Sequence, residues 1–153
     1  MLFIIFYHNH SRRARIISQV ALKKTTENSR QKDLKLDIQE FTVQLPEEKL
    51  TIIIEELLDN SLKFSFPGNE IQVKSKVEGS KFNLYVIDNG KGMTIEEIAT
   101  IGAFVQFNRK SWEQQGSGLG LVIVQHIVKL YSGEFTIDSI PGKGTTVSIS
   151  LPC

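Results

Sequence analysis

The sequence predicts an α/β fold, a two-layer sandwich in which a mixed, mainly antiparallel sheet packs on about three helices. Three observations carry this. Apolar residues recur at helical spacing in two long segments, 46–64 and 118–131. Elsewhere apolar and polar residues alternate with period two, the mark of half-buried strands. Those strand-like segments come in pairs joined by short glycine-containing turns, which makes neighbours antiparallel.

Taken in order, residues 11–28 form an amphipathic helix on the stripe Ile16, Ile17, Val20 and Ala21. Asp33 to Leu45 alternates through Leu34, Leu36, Ile38, Phe41, Val43 and Leu45, which suggests one or two strands. Pro46 with Glu47 and Glu48 starts a helix, because proline suits the first turn and acids face the positive end of the helix dipole. That helix runs through Leu50, Ile53, Ile54 and Leu57 to Phe64 and stops before Pro67-Gly68. Ile71–Val77 and Phe82–Val86 pair around Gly79-Ser80. Thr94 and Glu97 form a capping box for a short helix, 94–101. Residues 102–117 are polar and aperiodic, a long loop. The second long helix ends at Gly133, read as its left-handed C′ residue. Phe135–Ile140 and Thr145–Leu151 close the chain as a hairpin around residues 141–144.

Composition narrows the function. A chain of 153 residues fits one domain and needs no disulfide or metal staple to bury a core. The lone cysteine, Cys153, excludes a disulfide framework and points to a reducing cytoplasm. A formal charge of +1 argues against a nucleic-acid binder. Met1–Tyr7 is apolar but far too short to span a bilayer, which takes ~20 residues. Charge is split: residues 1–32 carry seven bases against one acid, the remainder eleven against sixteen. A soft boundary therefore falls at Asp33, with 1–32 an N-terminal arm and 33–153 the main domain.

Four constellations offer chemistry. Glu56, Asn60 and Lys63 are spaced i, i+4, i+7 on one helix face, away from the Leu50/Ile53/Leu57 stripe. A carboxylate, a hard amide oxygen and an ammonium in line suit a Mg²⁺-phosphate site; a solvated polar face is the plainer alternative. Asp88-Asn89-Gly90-Lys91-Gly92-Met93 follows a strand. It is either an Asn-Gly turn or a close approach to a ligand, with Asp88 free to accept from an exocyclic amine. Gly116-Ser117-Gly118-Leu119-Gly120-Leu121 opens a helix, where successive N–H groups favour anions. It is no Rossmann fingerprint, since Leu121 stands at the third glycine's place and no strand precedes it. Gly142-Lys143-Gly144-Thr145 needs no role beyond a hairpin turn.

Together the segments are far more specific. Glu56 to Ser65 resembles the N box of histidine kinases and Asp88 to Gly92 the first glycine box. Phe104-Val105-Gln106-Phe107 resembles the F box, Gly116 to Leu121 the second glycine box, and Gly142 to Thr145 the last. Their order and spacing resemble the Bergerat-type ATP-binding domain shared by histidine kinases, gyrase, Hsp90 and MutL. The resemblance covers about 33–152. The loop 107–115 is similar to that of cyanobacterial response-regulator/histidine-kinase hybrids.

The resemblance implies ATP and Mg²⁺ as ligands. It places Asn60 on the metal, Lys63 on phosphate and Phe64 beside the adenine. Asp88 becomes the acceptor for the adenine amine, with Gly90, Gly92, Met93 and Thr145 around the same pocket. Residues 102–117 become a lid whose phosphate-facing end holds Gly116, Ser117, Gly118, Leu119 and Gly120, with Arg109 and Lys110 within the lid. Glu56 takes the place of the general base in ATP-hydrolysing relatives, or of a support for the metal and its waters.

One departure matters. A phosphoacceptor helix needs a histidine followed by an acid, whereas His8 and His10 precede Asn9 and Ser11. His126 is expected to be structural. The arm is accordingly expected to be a remnant of a dimerisation helix and linker. The expected function is the catalytic ATP-binding module of a two-component histidine kinase. It would present the γ-phosphoryl group of Mg-ATP to a histidine on a dimerisation domain, in cis or trans, for relay to a response regulator receiver domain. The isolated domain is expected to be monomeric. The alternatives are a stand-alone ATPase of the gyrase/Hsp90/MutL kind and a module that binds nucleotide or partner without chemistry.

Overall fold

The computed structural model describes residues 11–104 and 119–153. The elements run α1 (Arg12–Glu27), β1 (Leu34–Ile38), α2 (Glu47–Lys63), β2 (Ile71–Glu78), β3 (Lys81–Asp88), α3 (Ile95–Phe104), α4 (Leu119–Leu130), β4 (Glu134–Ile140) and β5 (Gly144–Pro152). The five strands form one sheet in the order β1-β2-β3-β5-β4. β1 lies parallel to β2, a pairing that needs a crossover such as the one α2 provides. The other three pairings are antiparallel. The expected α/β sandwich is the one observed, with four helices, α1 to α4, where about three were expected.

Helix starts and stops follow local chemistry. Ser11 caps α1 by accepting from Ala14 N–H. In the Thr94 box, Thr94 N–H donates to Glu97 at 2.8 Å and Glu97 N–H to the Thr94 hydroxyl at 3.1 Å. α3 then continues to Phe104, three residues beyond the expected end. α4 ends differently from expectation: the left-handed residue is Ser132, at φ 59°. Its N–H bonds to Lys129 O, and that of Gly133 to Val128 O, which makes Gly133 the next residue along in a Schellman motif. Glycine is needed there for room, since a Cβ would lie 2.5 Å from Ser150 O.

Only one strand forms between Asp33 and Leu45. The chain leaves the sheet at Gln39, whose N–H donates to the Ser75 hydroxyl at 2.9 Å while its carbonyl accepts from the same group at 3.3 Å. Phe41, Val43 and Leu45 are nevertheless buried, with the Phe41 ring stacked 3.8 Å from that of Phe82. Burial, not pairing, explains their alternation.

The core lies between the helices and the inward strand positions, among them Val73, Phe82, Leu84, Val86, Val147 and Ile149. α1 shares it: Ala14, Ile17 and Ala21 are fully buried. The break in composition at Asp33 thus separates charge, not packing. Arg30, 4% exposed, ties the end of α1 to the end of α2. Its guanidinium donates to Ser65 O (3.3 Å), Ser65 Oγ (3.1 Å), Asn69 O (3.1 Å) and the Asp33 carboxylate. Arg30, together with Gly68 N–H, holds the Asp33 carboxyl below its ordinary pKa.

Candidate functional site

The site lies where the C-terminal half of α2, the turn after β3 and the β4–β5 turn converge. Asp88, the last residue of β3, is 4% exposed. Its carboxylate accepts from Gly90 N–H at 2.9 Å, and the Ser61 hydroxyl and the backbone N–H of Thr145 are further donors close to it. Burial raises its pKa above the ordinary aspartate value, and those three donors oppose the shift. A buried acceptor flanked by two backbone N–H groups and a hydroxyl is held in place by its own strand and turn.

The backbones around it are crowded. Lys91 N–H donates to Phe64 O at 3.0 Å, Gly142 N–H to Lys91 O at 2.7 Å, and Asn89 N–H to Glu70 O at 3.3 Å. Gly92 (φ 70°) and Gly144 (φ 128°) adopt left-handed conformations, and a Cβ would meet Ile140 O at 2.2 Å and Asp88 O at 2.0 Å respectively. At Gly90 a Cβ would lie 2.2 Å from Phe64 O. The glycine spacing read as a ligand approach is therefore also a backbone-to-backbone packing device.

The α2 residues divide by face. Ser61 is buried, Glu56, Asn60 and Phe64 are half-buried, and Lys63 is exposed. The Lys63 and Lys91 ammoniums lie 5.6 and 4.5 Å from the centre of the Phe64 ring. Burial and the neighbouring Asp59 charge raise the Glu56 pKa, opposed by Lys24, which pairs with Asp59 at 3.0 Å. At Gly120 a Cβ would fall 2.5 Å from Glu56 Oε2, so the carboxylate fills the place a side chain would take at the start of α4.

Leu119 and Gly120 open α4. Gly116, Ser117, Gly118, Arg109, Lys110, His8, His10 and residues 105–107 of the expected F box lie outside the described residues. His126 is exposed on α4. Two further residues belong to the site. Ser61 is the polar member of the buried α2 face, a signal present in the sequence. Ser139 of β4 bonds to Met93 N–H, Gly144 O and the Thr145 hydroxyl, and only the strand register reveals it.

Residues 45–153 match the family described as histidine kinase-, DNA gyrase B-, and HSP90-like ATPase. The chain belongs to that ATPase family. Among curated relatives it is 32% identical to the alginate biosynthesis sensor protein KinB of Pseudomonas aeruginosa, over 81% of this chain and 21% of that protein. It is also 32% identical to the methanogenesis regulatory histidine kinase FilI of Methanothrix harundinacea, over 86% and 15%. The chain thus spans about a fifth or less of these relatives' length. Among solved structures, a mycobacterial sensor histidine kinase, MprB, superposes with a TM-score of 0.69 at 25% identity, covering 90% of this chain and 93% of that one. The catalytic domain of the histidine kinase ThkA shares the fold, with a TM-score of 0.70 at 19% identity over 90% of each chain. Within the ATPase family's matched region lie α2, Asp88 and Thr145.

Proposed function

We propose that this chain is the catalytic ATP-binding module of a two-component sensor histidine kinase, and that it offers the γ-phosphoryl group of Mg-ATP to a histidine on another domain. The observation that carries the reading is Asp88: a buried, backbone-supplied acceptor in a member of this ATPase family. In this reading Asp88 takes the adenine amine, while Phe64, Gly90, Gly92, Met93 and Thr145 shape the base pocket. Lys63 and the glycine-rich segment Gly116 to Gly120, with Ser117 and Leu119, bind the phosphates in this reading.

The donor set suits magnesium held mainly by substrate. Among the described residues no three His, Cys, Asp or Glu side chains gather as a metal cluster. Mg²⁺ in phosphoryl-transfer sites takes one or two protein oxygens and completes its shell with phosphate and water. The Asn60 amide oxygen is the protein ligand of this proposal. When bound, the ion would neutralise phosphate charge. The protein's part is then positioning, as phosphoryl transfer generally demands.

The partners in this proposal are a histidine-bearing dimerisation domain, in cis or trans, and a response regulator receiver domain. The module itself acts as a cytoplasmic monomer that binds no nucleic acid. Among the described residues no helix is long and apolar enough to cross a membrane. One observation favours a second reading, a stand-alone ATPase. The raised pKa of Glu56 suits a carboxylate that takes a proton from water.

Incubation with γ-labelled ATP separates the two. The kinase reading expects no acid-labile label on the chain alone, and acid-labile, base-stable label on an added helical hairpin that carries a His-Glu or His-Asp motif. Steady phosphate release without any acceptor, abolished by Glu56→Gln, supports the ATPase instead.

A further inference from the structure

The Ser139 hydroxyl meets three groups at once: Met93 N–H at 2.7 Å, Gly144 O at 2.9 Å and the Thr145 hydroxyl at 2.8 Å. A serine hydroxyl has one proton to give and two lone pairs to fill. The Gly144 carbonyl can only accept, so it takes the proton. Met93 N–H can only donate, so it fills one lone pair. The third contact then closes in one sense: Thr145 donates to Ser139. Thr145 has no second proton, and towards any other atom it is an acceptor.

Thr145 is 5% exposed and stands opposite Asp88 in the β3–β5 register, its own N–H close to the Asp88 carboxylate. An ionised carboxylate also only accepts. Two neighbouring groups are thereby fixed with the same polarity. A ligand group that sits against both must donate to each, as the two protons of an exocyclic amine can and a ring carbonyl cannot.

We propose that Ser139 is a specificity-determining positioning residue, which by consuming the Thr145 proton makes the pocket select a purine with an exocyclic amine over one with a carbonyl at the same ring position. This rests on the reading of Asp88 and Thr145 as the base pocket. A site built for donors rejects an acceptor because buried acceptors would face each other unpaired. Without Ser139, Thr145 regains a proton and can serve either base.

The test compares binding of ATP and inosine triphosphate by calorimetry, in the unaltered chain and in Ser139→Ala, Ser139→Thr and Thr145→Val. The unaltered chain should prefer ATP. Ser139→Ala should narrow that preference by roughly three- to tenfold, about one hydrogen bond's worth of discrimination. Ser139→Thr, which keeps the hydroxyl, should retain it. A purely structural role would weaken both nucleotides equally and leave the ratio alone. Thr145→Val removes the acceptor while Ser139 keeps Met93 and Gly144, and it should also narrow the ratio; if Ser139→Ala fails to fold, this variant decides. An unchanged ratio in a folded variant of either kind overturns the role of Ser139. Failure of the unaltered chain to bind ATP at all would instead overturn the pocket reading beneath it.

Discussion

Replacing Asp88 by asparagine changes one atom and should cripple recognition of the base. The carboxylate is buried, accepts from Gly90 N–H, and has the Ser61 hydroxyl and Thr145 N–H as neighbouring donors. A carboxamide has one acceptor oxygen and a donor in place of the other. The donor must point either at one of those N–H or O–H groups or at the incoming amine. Hydrogen bonds to charged groups contribute about 1.5–3 kcal/mol. Losing one such bond lowers affinity by roughly ten- to 150-fold. The loss should be the same for ATP and ADP, since the base is common to both, and calorimetric titration of each reads it directly. pH adds a second signature. Burial holds the Asp88 pKa above its ordinary value. Adenine nucleotide affinity should therefore fall as pH drops through that raised value, where exposed carboxylates are still ionised. Stability of the nucleotide-free fold runs the other way. The folded carboxyl binds its proton more readily than the unfolded one, so its contribution improves as pH falls from above the raised pKa towards the ordinary aspartate value. Asp88→Asn should remove both dependences. If ATP weakens while ADP is untouched, Asp88 acts at the phosphates and the reasoning fails.

Asn60→Ala should leave the fold intact, because Asn60 is only half-buried and lies off the apolar stripe. It should erase most of the magnesium-dependent part of the thermal shift; the whole shift for Mg-ATP at ~100 times its Kd amounts to ~2.7 kcal/mol, or roughly 5–10 °C at this size. Equal Mg-ATP shifts in both proteins would take Asn60 off the metal. Arg30→Met should destabilise the domain by roughly 2–4 kcal/mol in urea, because Asp33, Ser65 and Asn69 lose a buried donor together. A loss under ~1 kcal/mol would mean water replaces the guanidinium at little cost. Ser132→Gly should stabilise by about 0.5–1 kcal/mol, since φ 59° strains a Cβ and glycine returns only part of that gain as unfolded-state entropy. An unchanged or lowered melting temperature would contradict this.

What the sequence made legible was local. α2 begins after Pro46 and ends before Phe64 because proline, the two glutamates and the apolar stripe all agree. The Thr94–Glu97 box forms both of its bonds. The Asp88 turn and the Gly144-Thr145 turn are visible as motifs in the sequence alone. What stayed hidden depends on distant chain. Phe41 to Leu45 alternates like a strand yet pairs with none, because Ser75 takes the hydrogen bonds of Gln39. Gly133 looks like the helix terminator, but crowding by Ser150 explains the glycine and Ser132 makes the turn. Ser139 reads as an ordinary polar strand residue until the register sets it beside Thr145. The charge break at Asp33 says nothing of the apolar face that α1 buries.

The central claim, that Asp88 and its surroundings form an ATP pocket reaching Asn60, is tested most directly by amide chemical-shift mapping of the ¹⁵N-labelled chain titrated with Mg-ATP. The account predicts saturable shifts concentrated at Asn60–Phe64, Asp88–Met93 and Gly144-Thr145, with the Asn60–Lys63 part reduced when magnesium is withheld. Shifts confined to the outer sheet face around Lys81, Tyr85 and Thr136, or none at millimolar nucleotide, would contradict it.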